Sequence, residues 1–141
     1  MRNRLFVAAA AALVLVLPAV GLAAARGTVL STKLRGSAEA AKGSPTGSGT
    51  ATITLDTKKS KACWTLSVHG IGKPLSAHVH KGPVGKAGPV VIPLGAGFTT
   101  KGCVSAPAKT LAAVAKKPGD YYVNVHTTKY LNGAIRGQLH G

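Results

Sequence analysis

The chain has 141 residues, with 18 Lys or Arg against 3 Asp or Glu, for a formal net charge of +15. Because 45% of residues are hydrophobic and only 15% charged, the composition is that of a folding chain and not of a charged, disordered tail. The three acids, Glu39, Asp56 and Asp120, are too few for a carboxylate-rich calcium site or an acidic metal cluster, and leave little for a glycosidase pair.

Arg2 and Arg4 precede an unbroken apolar run over residues 5–17, which is followed by Pro18 and by Ala23-Ala24-Ala25. A basic start, an apolar stretch and a small-residue site predict a secretory signal peptide over residues 1–25. The domain is then residues 26–141, secreted to an extracellular or periplasmic location. The other reading is an uncleaved membrane anchor, because residues 5–25 have just the length to span a bilayer. Export decides how the cysteines read. Cys63 and Cys103 both lie in the exported part, and in an oxidising compartment they predict one disulfide. Closing a loop of about 40 residues, it contributes roughly 4 kcal/mol on the chain-entropy account. A two-cysteine metal site is the weaker reading, since zinc-ribbon spacing is missing.

Residues 26–49 are rich in small side chains, and residues 42–49 read as a turn or loop. Beyond them Ala51, Ile53 and Leu55 alternate with Thr50, Thr52 and Thr54. Trp64, Leu66 and Val68 alternate with Cys63, Thr65 and Ser67. Residues 83–89 form a Gly/Pro loop, and Val90-Val91-Ile92 is a short apolar strand that stops at Pro93. Residues 106–117 break the period: Leu111, Val114 and Ala115 sit at helical spacing, Pro107 suits a first turn, and Lys116-Lys117 suit a last one. Then Tyr121, Val123 and Val125 alternate with Tyr122, Asn124 and His126, and Ile135 and Leu139 flank Gly137. Short half-buried strands with one helical excursion predict an all-β, antiparallel Greek-key sandwich or barrel, with one short helix and a Cys63–Cys103 staple.

Three stretches together carry a family resemblance. They are Ala77-His78-Val79-His80-Lys81-Gly82 with Gly88-Pro89-Val90-Val91, Tyr121-Tyr122-Val123-Asn124-Val125-His126-Thr127, and Asn132-Gly133-Ala134-Ile135-Arg136-Gly137-Gln138-Leu139. In that order and spacing they resemble the CHRD domain, a module named from the extracellular protein chordin and common in exported bacterial proteins. Leu34-x-Gly36 with Glu39 resembles its opening strand, while Ala40-Ala41 stand where family members often carry prolines. The likeness runs from about residue 34 to 139. It implies a secreted all-β domain and no established biochemical activity.

The chemistry concentrates in histidine. His78 and His80 are i, i+2 on an expected strand, so both rings point to one face with Cα atoms roughly 6.5–7 Å apart. With His126 from another strand they would make a three-imidazole site for zinc or copper. His-x-His on a barrel strand is also similar to copper/zinc superoxide dismutases, although no second metal-binding run is present. The plainer reading rests on parity. When Trp64, Leu66, Val68, Ala77, Val79, Val123, Val125, Ile135 and Leu139 face inward, His69, His78, His80, His126 and His140 all face outward, where polar residues are expected. His78 would then simply hydrogen-bond the loop that follows it. Arg136 is expected to cap loop carbonyls, to pair with Glu39 or Asp120, or to contact a ligand. Asn124 is expected to satisfy a strand end or to orient His126.

No catalytic constellation stands out. Ser67, Ser76 and Ser105 lack a nucleophile-elbow context, and no Gly-Lys phosphate cradle is present. The charge suits anionic cell-envelope polymers or acidic lipids. Nucleic acid fits poorly, because the aromatics form no stacking series and arginine is scarce. The sequence thus predicts a secreted, non-enzymatic binding or structural module of the CHRD type. The alternative is a histidine-based zinc or copper domain, superoxide-dismutase-like in its site.

Overall fold

In the computed structural model, residues 27–141 are described, and the predicted signal peptide lies outside them. Alternation of apolar and hydroxyl side chains builds the first three strands, β1 (Thr28–Arg35), β2 (Ser48–Asp56) and β3 (Lys61–His69), joined as an antiparallel meander. Leu30 faces Ile53, and Ile53 faces Trp64, so one row of apolar side chains crosses three strands. Then follow β4 (Pro74–Lys81), β5 (Val90–Pro93), β6 (Lys101–Ser105), α1 (Ala108–Lys116), β7 (Tyr121–Thr127) and β8 (Ile135–Gln138).

All eight strands belong to one antiparallel sheet, in the order β5-β4-β7-β8-β1-β2-β3-β6, curled into a nearly closed barrel. The fold is therefore all-β with one short helix, and the barrel is the form realised. The inward-facing residues make one apolar core that includes Leu34, Ile53, Trp64, Val79, Ile92, Val123 and Ile135. α1 contributes Leu111 and Val114, both fully buried, and packs against β2 and β3. No helix among the described residues is long and apolar enough to cross a membrane.

Two boundaries differ from the sequence reading, each for a physical reason. β1 begins at Thr28, well ahead of the first clear alternation, because buried Thr32 takes an inward position between Leu30 and Leu34 and hides the period. β2 begins at Ser48, inside the expected turn, because Ser48 and Gly49 pair with His69 and Val68. There the absent side chain of Gly49 admits the Ser67 carbonyl, which a Cβ would strike.

The barrel stays open between its edge strands β5 and β6, and residues 94–100 bridge the gap. The Leu94 and Phe98 amides donate to the Ala77 and Leu75 carbonyls of β4, at 3.0 and 2.9 Å. On the other side the Leu66 amide and the Trp64 indole N–H donate to the Thr100 and Thr99 carbonyls. Cys63 and Cys103 stand directly opposite in the β3–β6 ladder and are disulfide-bonded, which ties edge strand β6 to the sheet. Replacing both by serine is expected to lower unfolding free energy by about 2–4 kcal/mol. Urea denaturation reads this as a lower midpoint, and an unchanged midpoint would mean that the ladder alone holds β6.

Candidate metal centre

Pairing of β4 with β7 sets His78 across from Asn124, His80 across from Tyr122, and Ser76 across from His126. β7 in turn pairs with β8, setting Asn124 across from Arg136 and Tyr122 across from Gln138. Ala77, Val79, Val123 and Val125 point into the barrel, so these polar residues share its outer face. Outward parity predicts solvation, yet Arg136 is 1% exposed, Asn124 2%, Tyr122 3% and His80 8%. The cause is a cover. The loop of residues 82–89, with Glu39 and residues 131–132, folds over this half of the sheet and makes a polar layer outside the apolar core.

The cover is pinned at several points. The Arg136 guanidinium donates to the Lys86 and Pro83 carbonyls, both at 2.7 Å. The Gln138 amide donates to the Gly82 carbonyl at 2.6 Å and to the Gly119 carbonyl at 2.8 Å. The Gly88 N–H donates to the Tyr122 hydroxyl at 3.1 Å. Because β7 lies between β4 and β8, the Tyr122 ring is held between two groups. His80 stacks on it at 4.8 Å with planes 5° apart, and the Arg136 carbon Cζ sits 3.3 Å from its centre.

The structure brings His78, His80 and His126 together. One ligand nitrogen from each lies within 4.8 Å of the others, and the ring centres are 4.9–6.2 Å apart. Among the described residues this is the one group of three metal-ligating side chains. Zinc held at about 2.0–2.1 Å by imidazoles needs nitrogens roughly 3.3–3.5 Å apart, so small ring rotations would close the set.

Hydrogen bonding decides which nitrogens are available. His80 Nδ1 lies 2.8 Å from the Gly88 carbonyl, and His126 Nδ1 lies 2.9 Å from the Leu131 carbonyl. A carbonyl only accepts, so in each ring Nδ1 carries the proton, and at His80 this leaves the lone pair at Nε2. His80 Nε2 is buried without a partner, and so is His78 Nδ1. Asn124 Oδ1 lies 3.0 Å from His126 Nε2, and since an amide oxygen also only accepts, His126 presents a lone pair there once the Asn124 amide turns its NH2 toward the ring or moves aside. His78 does not bond the following loop; His80 does, because its ring lies nearer the strand end where the loop returns.

Burial, reinforced by the neighbouring His126 and His80, pushes His78 down to about 4. Burial also lowers His80, against the opposing pull of the Gly88 carbonyl and of the nearby Asn124 side chain, which lies close to the ring without making a hydrogen bond of good geometry to Nε2. Both rings are therefore neutral, with lone pairs to give, at ordinary pH.

Glu39, with His80, Asn124, His126, Leu131 and Arg136, lines a pocket of about 430 Å³ beside the cluster. Its Oε1 is buried without a partner, and burial pushes the carboxyl up to about 7 against the pull of Arg136. Gly133, at φ +122°, lacks the side chain that would strike this carboxyl. An unfolded carboxyl titrates near 4.5 and this one near 7, so folding takes up a proton between those values. Stability therefore falls as pH rises through that window. Glu39→Gln is expected to flatten the fall and add about 1 kcal/mol at pH 8, a figure reduced because the carboxyl is partly solvent-screened. Parallel slopes for the two proteins between pH 4.5 and 7 would contradict it.

The sequence pointed to His78, His80, His126, Asn124 and Arg136, and all five lie in this layer. It names Glu39 only as a partner for Arg136 and as part of the opening strand, and passes over Tyr122 and Gln138 as members of the layer. The available signals were the adjacent Tyr121-Tyr122 pair, which must send one ring to each face of a strand, and Gln138 two residues from Arg136. His69 and His140 stay exposed and apart.

No curated protein and no solved structure matches the chain significantly. The pattern that defines the CHRD domain matches residues 30–139, from β1 to the residue after β8. It thus takes in the whole barrel, the histidine strands and the loop that covers them, and the chain belongs to the CHRD domain family.

Proposed function

We propose that this CHRD domain is a histidine-based binding module for a zinc or copper ion. The observation that carries the reading is the pair of buried, unpartnered nitrogens, His78 Nδ1 and His80 Nε2, in the same cluster as His126. A buried polar atom without a partner costs about 1–3 kcal/mol, and a metal ion would satisfy two at once. The Gly88 and Leu131 carbonyls fix two ring orientations in the manner of carbonyl partners of metal-bound histidines. The cysteines are joined in the disulfide, so the donor set is all nitrogen, which suits zinc and copper(II) better than a thiolate-seeking ion. A bound ion would supply positive charge and Lewis acidity at the pocket shared with Glu39.

A purely structural module explains the Nδ1 bonds of His80 and His126 but leaves the two buried nitrogens unused. Secretion fits a chain that carries a disulfide. The test is metal analysis of protein purified without an affinity tag, before and after dialysis against zinc or copper(II). About one ion per chain, lost in His78→Ala, is the expected result. A parent that holds no ion after dialysis would end the proposal.

A further inference from the structure

The barrel half formed by β1, β2 and β3 is open on its outer face, and the end of that face nearest the β1–β2 connection carries cations, hydroxyls and one imidazole. Lys33, Thr50 and Ser67 stand across from one another in one rung, and Arg35, Ser48 and His69 in a neighbouring rung. All six are exposed. With Lys42 from the β1–β2 connection they line an open depression of about 820 Å³.

Three cations share this depression, and among the described residues none of them has an ion-pair partner; the ion pair found there is Lys59–Asp56, at the far end of β2. The one carboxyl on its wall is Glu39, which is largely buried and drawn toward Arg136, so it does little to cancel the field. The floor is hydroxyl. Ser67 bonds His69 at 3.1 Å, while the Ser48 and Thr50 hydroxyls have no hydrogen-bond partner among the described residues. Adjacent strands are about 4.8 Å apart and outward residues along a strand about 6.5–7 Å, so donors and charges repeat at short intervals.

We propose that this face binds an anionic polysaccharide, a glycan bearing carboxylate or phosphate groups. Lys33, Arg35 and Lys42 take the acid groups, and the Ser48, Thr50 and Ser67 hydroxyls take sugar hydroxyls. The surface discriminates among anionic partners. Among the lining residues the His69 imidazole is the one aromatic ring, and no Trp, Tyr or Phe stands beside it, so a nucleic acid finds no series of rings on which to stack its bases. The large apolar residue on its wall, Leu34, is fully buried, so a membrane finds no large exposed apolar side chain to bury. The reading does not depend on a metal at the histidine cluster, which lies on the other half of the sheet.

The test is titration of the purified protein with polygalacturonate, with its methyl-esterified neutral form, with single-stranded DNA and with anionic lipid vesicles. Polygalacturonate is expected to bind, with affinity falling roughly tenfold or more as salt rises from about 0.05 to 0.3 M. The neutral form is expected not to bind. Lys33→Glu with Arg35→Glu should weaken binding at least about tenfold. Lys116→Glu with Lys117→Glu, an equal change of net charge at the end of α1, should weaken it less than about threefold. Thr50→Ala with Ser67→Ala should leave the salt slope intact and weaken binding about threefold to tenfold. Equal losses from the two charge-reversal pairs would show a diffuse charge effect and overturn the proposal. So would tighter binding of DNA or vesicles than of polygalacturonate.

Discussion

Zinc or copper(II) added to metal-stripped protein is expected to raise its thermal midpoint by about 8–12 °C, and His80→Ala to abolish the rise. An ion that binds only the folded chain stabilises it by about 2.7 kcal/mol at a hundred times its dissociation constant. In a domain of this size each kcal/mol moves the midpoint by about 3–5 °C. His80 is the informative position because its ring is oriented twice, by the Gly88 carbonyl at Nδ1 and by stacking on Tyr122. That leaves Nε2 aimed with little freedom to lose on binding. Alanine removes a ligand and both constraints, so affinity should fall by roughly 100-fold or more. His80→Gln separates the roles, since it keeps polar bulk without the imidazole. An alanine or glutamine variant whose midpoint rises as much as the parent's would remove His80 from the site.

The second large effect belongs to Arg136. Its guanidinium is buried on the outer face and makes two 2.7 Å bonds to carbonyls of the covering loop. Charge-assisted bonds contribute about 1.5–3 kcal/mol each, while burying the cation offsets part of that. A methionine of similar volume relieves the desolvation. It also strands the Pro83 and Lys86 carbonyls, and these reach water only if the loop lifts. Since residues 83–87 are already exposed, lifting is the cheaper response. Arg136→Met is therefore expected to cost about 2–3 kcal/mol and to open the loop to protease. The same opening withdraws the Gly88 carbonyl from His80, so metal affinity should drop about 10- to 100-fold although Arg136 touches no ligand nitrogen. Arg136→Lys should recover little, because one ammonium cannot serve both carbonyls in a fixed fork. Intact protease resistance with unchanged metal affinity would refute the linkage.

Much of the barrel was legible because period two is a direct consequence of strand geometry. Ala51, Ile53 and Leu55, or Val123 and Val125, announce an inward face with no knowledge of partners. The helix was legible from Leu111 and Val114. What escaped depends on contacts between distant segments. Thr32 is inward only because β1 is enclosed by β2 and β8, and nothing local marks it as core. The histidines were legible as residues of one parity, but parity cannot tell an open face from a covered one. The cover depends on Arg136 reaching carbonyls 50 and 53 residues away, and on Gln138 reaching one 56 residues away. Glu39 was noticed as part of the family's opening strand, yet its unpartnered oxygen exists only once residues 131–133 have folded beside it.

The uneven cover also divides the molecule in time. Strand β7 is buried on both faces over nearly its whole length, whereas β2 shows one face to water throughout. An amide whose neighbours are buried above and below the sheet exchanges only when both layers part together. Solvent deuterium should therefore enter β2 and β3 through small local openings and reach Val123 and Val125 only on global unfolding. The strand that carries Asn124 and His126 would be the slowest clock in the protein, and the strands with one face in solvent would run ahead of it.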